Sequence, residues 1–144
     1  MKCSESKSYI EYGRAMGHDN YRKAMGHLLD FISEYQGEMH IDERVDMMQR
    51  IGKIYFHLGD PNLGLFFFKT AIECVPTSLI ARLTFAKFVG RDLKKIDLAV
   101  RICDEIIASA ELDPQPDSEE DFGSDWYIAN AKQLKDELIA ATND

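Results

Sequence analysis

The sequence predicts an all-α domain assembled from short helix pairs, and three observations carry that prediction. Apolar residues recur at helical spacing along nearly the whole 144-residue chain, the pattern of helices that each bury one face. No run alternates with period two for long enough to make a strand. Glycine, proline and Asp/Asn clusters interrupt the helical pattern at short intervals, which folds consecutive helices back on one another as hairpins.

The first helix is expected over about residues 5–16, with Tyr9, Tyr12 and Met16 on one stripe. Gly17-His18-Asp19-Asn20 then turns into a second helix, striped by Tyr21, Ala24, Leu28, Phe31 and Tyr35. After Gly37 and a polar stretch, a third carries Val45, Met48, Ile51, Tyr55 and Leu58 and stops at Gly59, a residue that accepts the left-handed conformation of a helix end. Asp60 and Pro61 suit the cap and first position of a fourth, whose stripe is Leu63, Phe67, Ala71 and Cys74 before Pro76. A fifth helix runs over about 78–89 with Leu79, Leu83, Ala86 and Val89, and Gly90-Arg91-Asp92 breaks it. The sixth, about 93–110, shows Ile96, Ala99, Cys103, Ile106 and Ala110 and ends before Pro114-Gln115-Pro116. Asp113 to Asp125 reads as a solvated acidic linker. Ser124 or Asp125 then caps a seventh helix through about 142, striped by Tyr127, Ala131, Leu134, Leu138 and Ala141. Trp126, the only tryptophan, is expected to anchor that helix onto the pairs before it.

A helix pair cannot bury its apolar face alone, whereas stacked copies can, so a fixed period is the next feature to seek. Ile51-Gly52-x-x-Tyr55, Gly59 and Asp60, then Phe68, Ala71 and Pro76 resemble the tetratricopeptide repeat, a helix-turn-helix unit of about 34 residues. Gly64 stands where that family has a small alanine, and Met48 where it often has tryptophan. Stepping one period from Gly52 reaches Ala86, and Ala99 is the small residue of the next second helix after a shift of one. Ala24 and Leu28 match in the pair before, given an insertion of about six residues around Gly37–Asp42. The resemblance implies a right-handed α-α superhelix of about three tetratricopeptide-like pairs plus a C-terminal capping helix. The corresponding domain plan is a repeat array over 1–112, an acidic linker over 113–125 and a capping helix over 126–144 of the same domain.

Charge narrows the function. The chain holds 17 Lys plus Arg against 25 Asp plus Glu. Residues 1–110 balance at 15 against 15, while residues 111–144 hold 2 against 10, so the whole net charge of -8 lies in the last quarter. An acidic balance argues against nucleic acid, whose phosphates are bound by clustered cations. The longest apolar patch, Leu63 to Phe68, is too short for a membrane span, which takes about 20 residues. With no secretory signal in the polar opening residues, a cytoplasmic protein is expected. Cys3, Cys74 and Cys103 are too far apart for a zinc or redox pair, and Cys74 and Cys103 are read as small core residues.

No motif for catalysis, metal or cofactor is present. His18, His27, His40 and His57 never fall at i, i+4 on one helix. Ala-Met-Gly-His occurs at 15–18 and 24–27, but one copy ends in a turn and the other lies mid-helix, so no shared role is assigned. Glycine-rich phosphate loops and nucleophile motifs are absent, and no enzyme is expected.

The family resemblance implies a concave groove lined by the first helices of successive pairs, which takes a partner's peptide. Its groove positions map onto Gln49, Lys53, Phe56 and His57, and onto Leu83, Lys87, Gly90 and Arg91 of the next pair. Lys53 and Lys87 are 34 residues apart, so they hold equivalent places and suit an acidic segment, with Arg91 adding a bidentate donor. The family's peptide-carboxylate binders carry asparagine in the groove, and none stands here. Phe66-Phe67-Phe68 cannot all face one way and are expected to be buried between pairs. The acidic segment from Glu111 onward could occupy the protein's own basic groove. Two functions follow: an interaction scaffold or adaptor binding another protein or peptide as a monomer or weak homodimer, or a small acidic inhibitor, of the immunity-protein or antitoxin type, that neutralises a basic partner through Asp117, Glu119, Glu120 and Asp121.

Overall fold

The computed structural model describes residues 6–119 and 121–143. Among them the chain forms seven α-helices and no strand: α1 (Lys7–Gly17), α2 (Tyr21–Tyr35), α3 (Ile41–His57), α4 (Pro61–Cys74), α5 (Leu79–Lys87), α6 (Ile96–Leu112) and α7 (Ser124–Thr142). The fold is all-α, as the apolar spacing predicts. It divides into two compact units, Met1–Pro76 and Thr77–Asp144.

In the first unit α1 packs on α2, α2 on α3 and α3 on α4. Local chemistry starts three of these helices. The side chains of Ser6, Asn20 and Asp60 accept from the backbone N–H groups of Tyr9, Lys23 and Leu63, each cap contributing about 1 kcal/mol. Pro61 fills the first position of α4, and Gly59 ends the preceding turn at φ +94°, both as expected. In the α1–α2 turn the left-handed residue is Asp19, at φ +55°, a type whose short polar side chain tolerates that conformation. The core gathers Tyr12, Ala24, Leu28, Phe31, Ile51 and Ile54.

The α3–α4 pair is unusually close at one point. A β-carbon on Gly52 would stand 2.8 Å from the Gly64 carbonyl oxygen and 2.9 Å from the Phe68 ring. Small residues at 52 and 64 are thus what lets α3 and α4 approach, and Phe68 and Ala71 are buried behind them. Phe67 stacks on Tyr55 of α3 at 5.5 Å, whereas Phe66 is 59% exposed, so the expected burial of all three phenylalanines does not hold. Helical geometry turns successive side chains about 100° apart, and α4 has only one covered face.

In the second unit α5 packs on α6, α6 on α7 and α5 on α7. The winding does not break at Gly90-Arg91-Asp92 as the sequence suggests. It continues as a π-turn, Phe88–Asp92, and the chain reverses at Lys94, φ +59°. Gly90 is buried because α7 closes on it: a β-carbon there would meet Leu138 at 2.6 Å and Ala99 at 3.0 Å. Tertiary crowding, and not helix breaking, explains this glycine.

The segment between α6 and α7 is exposed at its described residues from 113 to 122, as expected, but hydrogen bonds order it. Ser124 does not cap α7, and neither does Asp125; the cap residue is Gly123, without a side-chain bond. The Ser124 hydroxyl instead accepts from the Gln115 N–H at 2.6 Å, and its own N–H donates to the Gln115 carbonyl at 2.9 Å. Asp117 accepts from the Gly123 N–H at 2.6 Å, and the Tyr127 hydroxyl donates to Asp121 at 2.8 Å. Trp126, half-buried, stacks on Phe122 of this loop, centroids 3.9 Å apart and planes within 7°, a linker contact that the sequence does not suggest. Cys103 is buried as expected, but Cys74, the last residue of α4, is exposed; Cys3 lies outside the described residues.

Candidate functional site

The groove residues separate into packed and accessible ones. Gln49 on α3 is 4% exposed and Leu83 on α5 is fully buried, so these two cannot serve as surface contacts. Their positions face the interior because Val45, Met47, Ile51 and Ile54 share the burial of α3 and Ala81 and Ala86 that of α5. Lys53 is exposed and Phe56 half-buried.

His57 is held in place by aromatic neighbours. Its imidazole stacks on Tyr21 of α2 at 4.3 Å, with planes 4° apart, and meets Phe56 edge-on at 5.3 Å. One face is therefore covered. Tyr21 is a positioning residue that sequence spacing did not reveal, since the two rings are 36 positions apart.

Deeper in the first unit, Arg50 ties α3 to α1. Its guanidinium lies over the rings of Tyr9 and Tyr12 at 5.7 and 5.9 Å and donates to Asp46 at 3.0 Å. Burial alone would lower the Arg50 pKa, but Asp46 and the Tyr12 hydroxyl outweigh it and hold the charge more firmly than in water. Elsewhere in the first unit His18 and His27, the last residues of the two Ala-Met-Gly-His copies, line one open cavity of about 390 Å³ together with Glu11, Arg14, Asn20 and Lys23. Glu11 is paired to Arg14 at 2.9 Å.

In the second unit, Arg91 is not free for a ligand. It makes two parallel bonds of 2.8 Å to Glu137 of α7, the fork geometry that favours arginine over lysine. Hydrogen bonding from Arg91 holds the Glu137 carboxyl below the usual carboxylate range, burial opposing it and Lys87 adding to the effect. The acidic C-terminal stretch thus reaches one of the expected groove cations, but through α7 and not through the linker. Glu137 is a residue that sequence reasoning missed, because a partner 46 positions away leaves no local signal.

The acidic strip is partly engaged. Asp117 and Asp121 bind their own loop, Glu119 is exposed, and Glu120 lies outside the described residues. Burial and the bond to Asp121 push the Tyr127 phenol well above the ordinary tyrosine range, which keeps it protonated as a donor. No group of three His, Cys, Asp or Glu able to hold a metal occurs among the described residues. No described helix is long and apolar enough to cross a membrane.

No protein-family model matches the chain. It is similar to two curated proteins of Xenopus laevis: CCR4-NOT transcription complex subunit 10-A, at 44% identity over 70 residues, and CCR4-NOT transcription complex subunit 10-B, at 45% over 70 residues. Each match takes in 46% of this chain, and the chain spans about 9% of the length of these relatives. What the chain resembles, then, is a short stretch of subunits of a multiprotein complex.

Proposed function

We propose that this protein is an interaction scaffold that binds acidic segments of a partner through tetratricopeptide-like helix faces, that of α3 in the first unit and that of α5 in the second. The observation that carries the reading is the contact of Gly52 with Gly64 and Phe68, the close approach expected of a tetratricopeptide-like pair. Similarity to named subunits of a complex supports a role in protein association. Lys53 and His57 of α3 and Lys87 of α5 are the contacts proposed, with Arg91 becoming available when Glu137 is displaced. Recognition is expected to rest on charge and on apolar contact with Phe56, since asparagines that would grip a chain terminus are missing from these positions.

The test is capture from a lysate by the full chain and by the Lys53→Glu/Lys87→Glu variant, both verified as helical by circular dichroism. A partner retained by the first and lost by the second supports binding through these lysines. Equal retention by both would move the binding surface elsewhere.

A further inference from the structure

The loop before α7 presents an aromatic surface for which neither the helix pairing nor the proposed groove has a use. Phe122 is 50% exposed although it stacks face to face on Trp126, and Tyr127 braces the pair edge-on at 5.1 Å from Trp126. The loop is held from several sides: Ser124 and Gln115 exchange two bonds, Asp117 grips the Gly123 N–H, and Asp121 accepts from both the Phe122 N–H and the Tyr127 hydroxyl. Gly123 admits no side chain there, since a β-carbon would fall 2.7 Å from the Asp117 nitrogen and 2.8 Å from the Gln115 carbonyl. An apolar ring is thus fixed outward by a network that orders the backbone around it.

The charge around that ring is of one sign. From Glu111 to Ala131 the chain has seven carboxylates and no lysine or arginine, and Glu119, three residues before Phe122, and Asp125, next to Trp126 in sequence, are exposed. Stacked aromatic faces attract cations, guanidinium above all, and the surrounding carboxylates raise the local concentration of a basic segment. Phosphate polymers are repelled by the same field.

We propose that Phe122 and Trp126 form a docking platform for a basic segment of a partner protein, with an arginine side chain laid on the exposed face of Phe122 and Glu119 and Asp125 pairing with flanking cations. This proposal does not rest on the function proposed above for α3 and α5.

Trp126 is the only tryptophan, so its fluorescence reports on the platform directly. The probe is a short peptide with arginines flanking a pair of leucines, titrated into the full chain at moderate salt, against the same peptide with citrulline for arginine. Expected are a saturable change in Trp126 emission with the arginine peptide, none with the citrulline peptide, and about tenfold weaker binding by Phe122→Ala. Phe122→Tyr, which keeps a stacking ring, is expected to bind within about twofold of the natural chain. Anisotropy of a labelled peptide gives a second readout that does not depend on the altered emission of the variants. Binding by Phe122→Ala equal to that of the natural chain would reduce the effect to bulk charge and overturn the proposal, as would no saturable binding at all. A Trp126 emission that depends on protein concentration without peptide would show a second copy of this chain on the platform, and would also overturn it.

Discussion

Gly52 of α3 faces the backbone of Gly64 in α4 so closely that a β-carbon at 52 would lie 2.8 Å from the Gly64 carbonyl oxygen. In a helix interior, alanine is ordinarily better than glycine by about 0.5–1 kcal/mol. Overpacking against an immovable backbone costs about 1–3 kcal/mol, so the clash decides the sign. Gly52→Ala is expected to lower unfolding free energy by about 1–2 kcal/mol, read by urea denaturation. Gly90→Ala meets the end of the flexible Leu138 side chain and, at 3.0 Å, the Ala99 β-carbon, but no backbone atom, and is expected to cost less. An equal or larger loss at 90 would refute this ordering.

Ser124 supplies a second test, because the structure gives its hydroxyl a role other than capping. Ser124→Ala leaves the Gln115 N–H without its 2.6 Å partner, at an expected cost of about 1 kcal/mol. The loop that seats Phe122 should loosen with it, so Trp126 emission should shift toward that of an exposed indole. Loss of stability without any change in emission would separate the hydroxyl from the aromatic stack.

The thiols should differ sharply. Burial, assisted by Asp104, pushes the Cys103 pKa up to about 11, and its side chain is fully covered; thiolate, the reactive form, is scarce there at neutral pH. Cys74 is exposed. Iodoacetamide followed by peptide mapping should label Cys74 in the native protein and Cys103 only on unfolding. Comparable labelling of both in native buffer would contradict the packing of α6.

Arg91 and Glu137 give a pH-dependent contribution with a defined sign. The folded Glu137 carboxyl sits below its unfolded value, so its stabilising effect is present above the unfolded pKa and is lost as pH falls through the folded one. Both side chains are about half exposed, at 48% and 47%, and the coupling energy in a double-mutant cycle at neutral pH should be about 1 kcal/mol or less. It should vanish in acid below the carboxylate range. Glu137→Gln releases Arg91, and on the proposed function it should tighten binding of an acidic partner; weaker binding would show that Glu137 does not compete for Arg91.

Much of the helical plan was legible because it rests on neighbours in sequence. Asp60 and Pro61 start α4 through groups within three residues, Gly59 ends a turn through its own backbone angle, and Gly52, Phe68 and Ala71 keep a spacing that any reader of the period can find. The candidate site was less legible. The 34-residue spacing of Lys53 and Lys87 is plain in the sequence, but the burial of Gln49 and Leu83 is not, since it depends on what covers each helix face.

Residue types and spacing alone determined that this chain is helical, paired and acidic at its end. Only the tertiary structure decided that Gly90 lies inside a π-turn pressed by Leu138, that Cys74 is exposed, and that Ser124 turns back to Gln115. It also decided that Glu137 takes Arg91 and that Trp126 stacks on Phe122. The physical reason is range: caps and turns are satisfied by backbone groups a few residues away, whereas close packing and ion pairing join positions whose separation in sequence carries no pattern.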